Sequence, residues 1–190
     1  MLWNFIRDGQ KAIRLRFHPL SGYHYHISTL VGMNLCLGFN FYLTFYSIFG
    51  DRLDLLGVCV LTQILRCTVL SETMVRCFDD PAIRRENMYS FIILTESLSL
   101  ILILFFLLPS TVIFQTISFF LSLWFLLVQV AGLLKFGQVK VFKLLLFYLL
   151  YMILFFIVTM FVLFFAASIG VITENDLITI EQYQKNLVEQ

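Results

Sequence analysis

Residues 111–170 read TVIFQTISFFLSLWFLLVQVAGLLKFGQVKVFKLLLFYLLYMILFFIVTMFVLFFAASIG. They hold two apolar runs, Thr111–Leu134 and Leu144–Gly170, split by a short stretch that carries Lys135, Lys140 and Lys143. About 20 apolar residues in a helix cross the hydrocarbon core of a bilayer, so each run is long enough to span. Lysines gathered between two spans mark one side of the membrane.

The same pattern continues toward the N-terminus. Three further apolar runs, His26–Phe49, Leu55–Ser71 and Tyr89–Leu108, make five in all. Their flanks alternate: basic, neutral, basic, neutral, basic, acidic. Arg7, Lys11, Arg14 and Arg16 precede the first run, and Arg76, Arg84 and Arg85 follow the second. Only Arg52 and Lys185 fall on the opposite side, while Arg66 lies inside a run. This alternation predicts an all-α, polytopic integral membrane protein with five transmembrane helices. It places the N-terminus in the cytosol (or the matrix, if mitochondrial) and the C-terminus across the membrane.

Composition agrees. Of 190 residues, 60% are hydrophobic and 13% charged, outside the range of soluble domains. A net charge of +1 leaves no basic face for nucleic acid. Cys36, Cys59, Cys67 and Cys77 match no CxxC or zinc spacing, and most fall in apolar runs, where cysteine behaves as a small hydrophobe.

Three regions follow. Residues 1–20 form an interfacial amphipathic helix, with Leu2, Trp3, Ile6, Ile13 and Phe17 on the apolar face and Asn4, Arg7, Lys11 and Arg14 opposite. Pro19 and Gly22 end it. A mitochondrial transit peptide is the rival reading, against which stand Asp8 and the lack of a serine-rich stretch. The charges in the first twenty residues also argue against a signal peptide. Residues 21–171 form the five-helix transmembrane domain, and residues 172–190 an acidic tail. In that tail, Thr179 through Gln182 fits the capping box of a short helix.

Within the membrane domain, Asp80-Pro81 predicts a helix start, with aspartate as cap and proline at the first helical position. A helix from there to Leu108 is about 42 Å long. Pro109-Ser110 predicts a tight turn between antiparallel helices. One kinked re-entrant helix is the alternative, and it spoils the charge alternation. Ala166 and Gly170 make a small-xxx-small pair suited to a close helix neighbour.

The second run is the most polar, with Gln63, Arg66 and Thr68 inside it, and requires neighbours to take up those groups. Arg66 lies about 9 Å from the inner boundary of its run and Glu96 about 10–11 Å, at helical rise. Antiparallel neighbours therefore present both at one depth. An ionisable residue in a span costs about 2.5–3.5 kcal/mol on insertion scales, which pairing offsets. Gln63, Thr68, Thr95 and Ser99 stand near enough in sequence to satisfy leftover donors and acceptors. The pair reads either as a structural clamp or as part of a proton or ion relay; snorkelling of Arg66 to the inner surface is a third reading. Arg84, Arg85, Lys135, Lys140 and Lys143 form a basic rim at lipid-headgroup level.

His24 and His26 share a face only in extended structure, so headgroup-level polar anchoring is favoured over a metal site. No histidine occurs after His26, which removes intramembrane serine-protease and histidine-cluster chemistry. No aspartate lies inside a run, and no glycine-rich phosphate loop appears. The expectation is a non-catalytic membrane subunit, with no cofactor or metal. Its partners are the lipid bilayer and other membrane subunits or copies of itself. A small oligomeric ion channel or transporter, with a polar path near Arg66 and Glu96, is the alternative. An enzyme acting on lipid through the Glu72–Glu86 loop comes last.

Overall fold

A computed structural model of the chain describes residues 2–50, 52–78, 83–103, 112–173 and 176. Among these, all regular structure is helical. The helices are α1 (Leu2–Ile13), α2 (Ile27–Phe49), α3 (Asp54–Cys77), α4 (Arg85–Ser97), α5 (Val112–Gly137) and α6 (Val141–Ser168). A short 3-10 turn, Leu20–Gly22, precedes α2, and α4 runs on as 3-10 turns over Leu98–Leu102. The stretch Thr116–Gly137 of α5, together with α3 and α6, gives three helices long and apolar enough to cross a membrane; Ile27–Leu43 in α2 is a shorter apolar helix.

Helix α4 is the post around which the others stand. Phe91, Ile92, Ile93, Leu94 and Thr95 are consecutive and all buried, so the helix is covered on every side. Helices α1, α2, α3 and α5 supply the cover. Helix α3 lies between α2, α4 and α6. It buries Cys59, Gln63, Cys67, Leu70 and Met74, a helical stripe three to four residues apart, with Thr62 beside it.

Glycines set how closely the helices meet. A Cβ on Gly38 of α2 would sit 2.7 Å from the Cα of Val60 on α3, so only glycine permits this contact. At the other side, a Cβ on Gly137 would overlap the ring of Phe78, which brings the end of α5 against the end of α3. Arg76, Arg84, Arg85, Lys135, Lys140 and Lys143 therefore share one end of the bundle.

The loop after α1 is pinned at that end by aromatic rings. Tyr23, Phe91 and Phe136 meet edge-to-face at 4.8–5.7 Å between centroids, and Phe17 joins Phe91 and Phe136 at 6.2 and 6.0 Å. Such pairs add about 0.5–1.5 kcal/mol each beyond burial. Lys135 closes the group by donating to the Phe17 carbonyl at 3.2 Å.

The opposite end is held by Arg52. Its guanidinium donates to Asp54 and Asp176 at 2.7 Å each and to the Val171 carbonyl at 2.7 Å. Helix α6 stops just before this clamp, where Gly170 takes φ +75. Gly170 N–H donates to Ala167 and Val171 N–H to Ala166, the Schellman arrangement. The small pair Ala166 and Gly170 thus divides: Ala166 is buried, while Gly170 turns the chain and has no close neighbour.

Several local expectations change. Helix α3 continues past Ser71 to Cys77 because Thr73, Met74 and Cys77 are buried, and Glu72 meets Arg85 at 3.4 Å. Helix α4 begins at Arg85, with Arg84 extended at φ −80, ψ 139. The start signal Asp80-Pro81, the turn Pro109-Ser110 and the capping box at Thr179 lie outside the described residues. Helix α1 turns Phe5, Asp8, Gly9 and Ala12 into the bundle and leaves Leu2, Trp3 and Ile6 outside. Small side chains at Gly9 and Ala12 admit α4 and α5, which a wheel built on large apolar residues misses.

Two measurements check this packing. Gly38→Ala forces α2 from α3 and is expected to destabilise by about 1–3 kcal/mol. Gly32→Ala, which meets nothing within 4 Å, gains only helix propensity, up to about 1 kcal/mol. Thermal unfolding in detergent reads both. The second concerns Asp176: burial raises its pKa, but the hydrogen bonds from Thr173 and the Arg52 charge outweigh burial and hold it below the ordinary value. A lowered folded-state pKa stabilises above the unfolded value and is lost as pH falls through the folded one. Amide protection at Val171–Thr173 is therefore expected to stay level from neutrality down to about pH 4 and to fall below it.

Candidate functional site

The most polar ground inside the helices lies where α3, α4, α5 and α6 converge. Arg66 is eleven residues from the end of α3, and Glu96 eleven from the start of α4, about 16 Å in each case. Gln129 lies about 12 Å from the end of α5, and Tyr148 and Tyr151 about 10 and 15 Å from the start of α6. Since those ends share one side of the bundle, the five side chains reach a common level.

There they join in a chain of hydrogen bonds. Arg66 Nη2 donates to Glu96 Oε2 at 2.6 Å. Gln129 Nε2 donates to the other carboxylate oxygen at 3.3 Å and to Thr95 Oγ1 at 3.0 Å. Tyr148 donates its hydroxyl to Gln129 Oε1 at 3.0 Å. A carboxylate only accepts, which sets the Gln129 amide with nitrogen toward Glu96 and oxygen toward Tyr148. The Tyr151 hydroxyl also meets Arg66. Both Glu96 oxygens are thus satisfied, and the site is neutral overall.

The backbone of α4 tightens at the same place. Thr95, Ser97 and Ser99 each donate a hydroxyl to the carbonyl three residues earlier, at 2.9, 2.7 and 2.7 Å. Such back-bonding competes with the α ladder, and the helix passes into 3-10 turns at Leu98. The carboxylate of Glu96 is carried on the last α turn before that change.

Beside the chain of bonds is a half-open cleft of about 570 Å³. Gln63, Arg66, Thr95, Glu96, Ser99, Gln129 and the two tyrosines supply its polar wall, and Phe41, Leu70, Leu102, Phe125, Met152 and Phe155 much of the apolar one. Glu96 is largely covered, its side chain 11% exposed, but Arg66 keeps 37%. The cleft can therefore offer one guanidinium face, two phenols and an amide to a guest or to water. Among the described residues, no three metal-ligating side chains converge.

Of the residues singled out from sequence, Arg66, Glu96, Gln63, Thr95 and Ser99 border this cleft. Gln63 is turned to Cys67 Sγ at 3.4 Å. Thr68 is not part of it; its hydroxyl donates to the Ile64 carbonyl on an exposed face. In the basic rim, Arg84, Arg85 and Lys140 are exposed, and Lys135 is held over the Phe17 ring at 5.9 Å. Gln129, Tyr148 and Tyr151 were not singled out. Gln129 is one of two uncharged amides in its apolar run, with Gln115, a signal that a search for ionisable residues passes over.

Compared with known proteins, the chain matches no protein-family model, no curated protein and no solved structure.

Removing one charge leaves the other without its partner. Arg66→Leu and Glu96→Gln are each expected to destabilise by about 1–3 kcal/mol, less than for a fully buried pair because Arg66 is partly accessible. The double variant Arg66→Leu/Glu96→Leu is expected to cost less than the sum. A double-mutant cycle on thermal unfolding measures the coupling.

Proposed function

We propose that this chain is a five-span integral membrane protein serving as a non-catalytic subunit of a larger membrane assembly. The observation that carries this reading is the partial exposure of Arg66 in a cleft set among apolar helices. An accessible guanidinium at bilayer depth is costly against lipid, so its open side calls for a polar neighbour. A second membrane subunit, or a second copy, supplies one.

The surface of α6 supports the membrane setting. In 28 residues it buries only Leu144, Tyr151, Val162 and Ala166. Phe142, Phe161 and Phe164 are 79, 76 and 75% exposed. Monomeric soluble proteins rarely show apolar patches above a few hundred Å², and lipid is the natural cover for this one. The charges at the two ends support the orientation: basic residues at the end with Arg84 and Lys140, the Arg52 clamp at the other. In this reading Leu2, Trp3 and Ile6 of α1 lie toward the headgroups and the C-terminal tail lies opposite α1. The spans are the described helices α2, α3, α5 and α6 and the segment that carries α4.

A second reading is transport. The relay from Arg66 through Glu96 and Gln129 to Tyr148 favours it, because a polar chain beside a cleft is what a proton or small-ion path requires. Substitution separates the two. With Arg66→Leu, loss of co-purifying chains in mild detergent, with no native ion flux in liposomes, supports the subunit. Loss of native flux with assembly intact supports transport. Sidedness is read by labelling single cysteines placed in a cysteine-free background. Cysteines at Arg84 and Lys140 are expected to react from one face and one at Arg52 from the other; uniform labelling overturns the five-span arrangement.

A further inference from the structure

A second hollow, of about 520 Å³, lies between α1 and the loop that leads into α2. Arg7, Lys11, His18, His24 and His26 line it, with Asp8 as its one carboxylate. That carboxylate is engaged from within the protein, accepting from the buried Tyr25 hydroxyl at 3.0 Å. Lys11 Nζ donates to His18 Nε2 at 2.9 Å, which holds the lysine at the wall of the hollow. Arg7 has no hydrogen bond or ion pair among the described residues. The hollow thus holds two permanent positive charges, one spare guanidinium fork and imidazole donors against one occupied carboxylate. That is the chemistry of an anion site, and the planar fork of Arg7 suits phosphate oxygens.

What favours a lipid over a free anion is the surface that starts at the rim. His26, which lines the hollow, is also the N-cap of α2, accepting from Ser28 N–H at 3.3 Å. From the next residue onward, Ile27, Val31, Leu35 and Phe39 are all exposed and spaced by four. They form an apolar stripe about 18 Å long, slightly more than half the roughly 30 Å hydrocarbon core. A charged headgroup seated in the hollow would send its acyl chain down this stripe.

We infer that the α1–α2 hollow binds the phosphate monoester headgroup of an anionic phospholipid, its acyl chain lying along Ile27, Val31, Leu35 and Phe39. This rests on the membrane reading above. Arg7 and Lys11 grip the phosphate, and the histidines add donors.

The full chain, reconstituted in phosphatidylcholine vesicles with and without phosphatidic acid, tests it. Resistance to alkaline carbonate reads insertion. Lipid retained after transfer to detergent, measured by mass spectrometry, reads binding. The expected result is an inserted chain that enriches phosphatidic acid over phosphatidylcholine. Arg7→Gln and Lys11→Gln each lower retention roughly fivefold, the equivalent of about 1 kcal/mol per basic residue near the surface. Arg16→Gln, exposed and outside the hollow, leaves it unchanged. An inserted chain without this preference overturns the inference alone, as does an equal loss with Arg16→Gln. Inorganic phosphate retained by the inserted chain, with no preference for phosphatidic acid over phosphatidylcholine, overturns it in favour of a soluble anion. Extraction by carbonate overturns the membrane reading and this inference together.

Discussion

Arg66 and Glu96 cannot sit singly among apolar helices. An uncompensated charge in such surroundings costs several kcal/mol, and a pair recovers this only when its remaining donors and acceptors are also met. Here they are met by groups from two further helices. Gln129 on α5 takes the second carboxylate oxygen, Tyr148 on α6 takes the amide, and Tyr151 approaches the guanidinium. Four helices are therefore held in register by one set of bonds. Sliding any of them by a turn, about 5.4 Å, breaks a link that has no substitute nearby.

The remainder of the fold is arranged around that register. Helix α4 carries Glu96 and is buried all round, so α1, α2, α3 and α5 find their places against it. The ring cluster of Phe17, Tyr23, Phe91 and Phe136 fixes the N-terminal loop at one end. The Arg52 clamp draws the α2–α3 turn and the segment after α6 together at the other. Between the two ends, α5 and α6 leave the half-open cleft, because both lie against inner helices more than against each other. Its polar wall is thus a consequence of satisfying the ion pair from one side only.

Two signals carried across from the residues to the folded chain. Equal spacing from the polar boundary predicts that Arg66 and Glu96 share a depth, and they meet at 2.6 Å. The helical character of the apolar runs is likewise plain, though only three described helices meet the length and composition of a membrane crossing. Other features were hidden for physical reasons. Arg52 and Asp176 are 124 residues apart, and no local pattern joins them. The face α1 turns inward is chosen by small residues, Gly9 and Ala12, whose value is the approach they permit and not the area they bury.

From the sequence alone came what depends on transfer free energy and charge: which stretches are helical and apolar, which end is basic, and that Arg66 needs an acidic partner. These properties are local, set by each residue's own preference for water or hydrocarbon. Only the tertiary structure decided which uncharged groups complete the pair, that a cleft is left beside it, and that the histidine loop folds back over α1 to enclose a cationic hollow. Those outcomes depend on packing between distant segments, where shape and close approach select among partners that hydrophobicity treats alike.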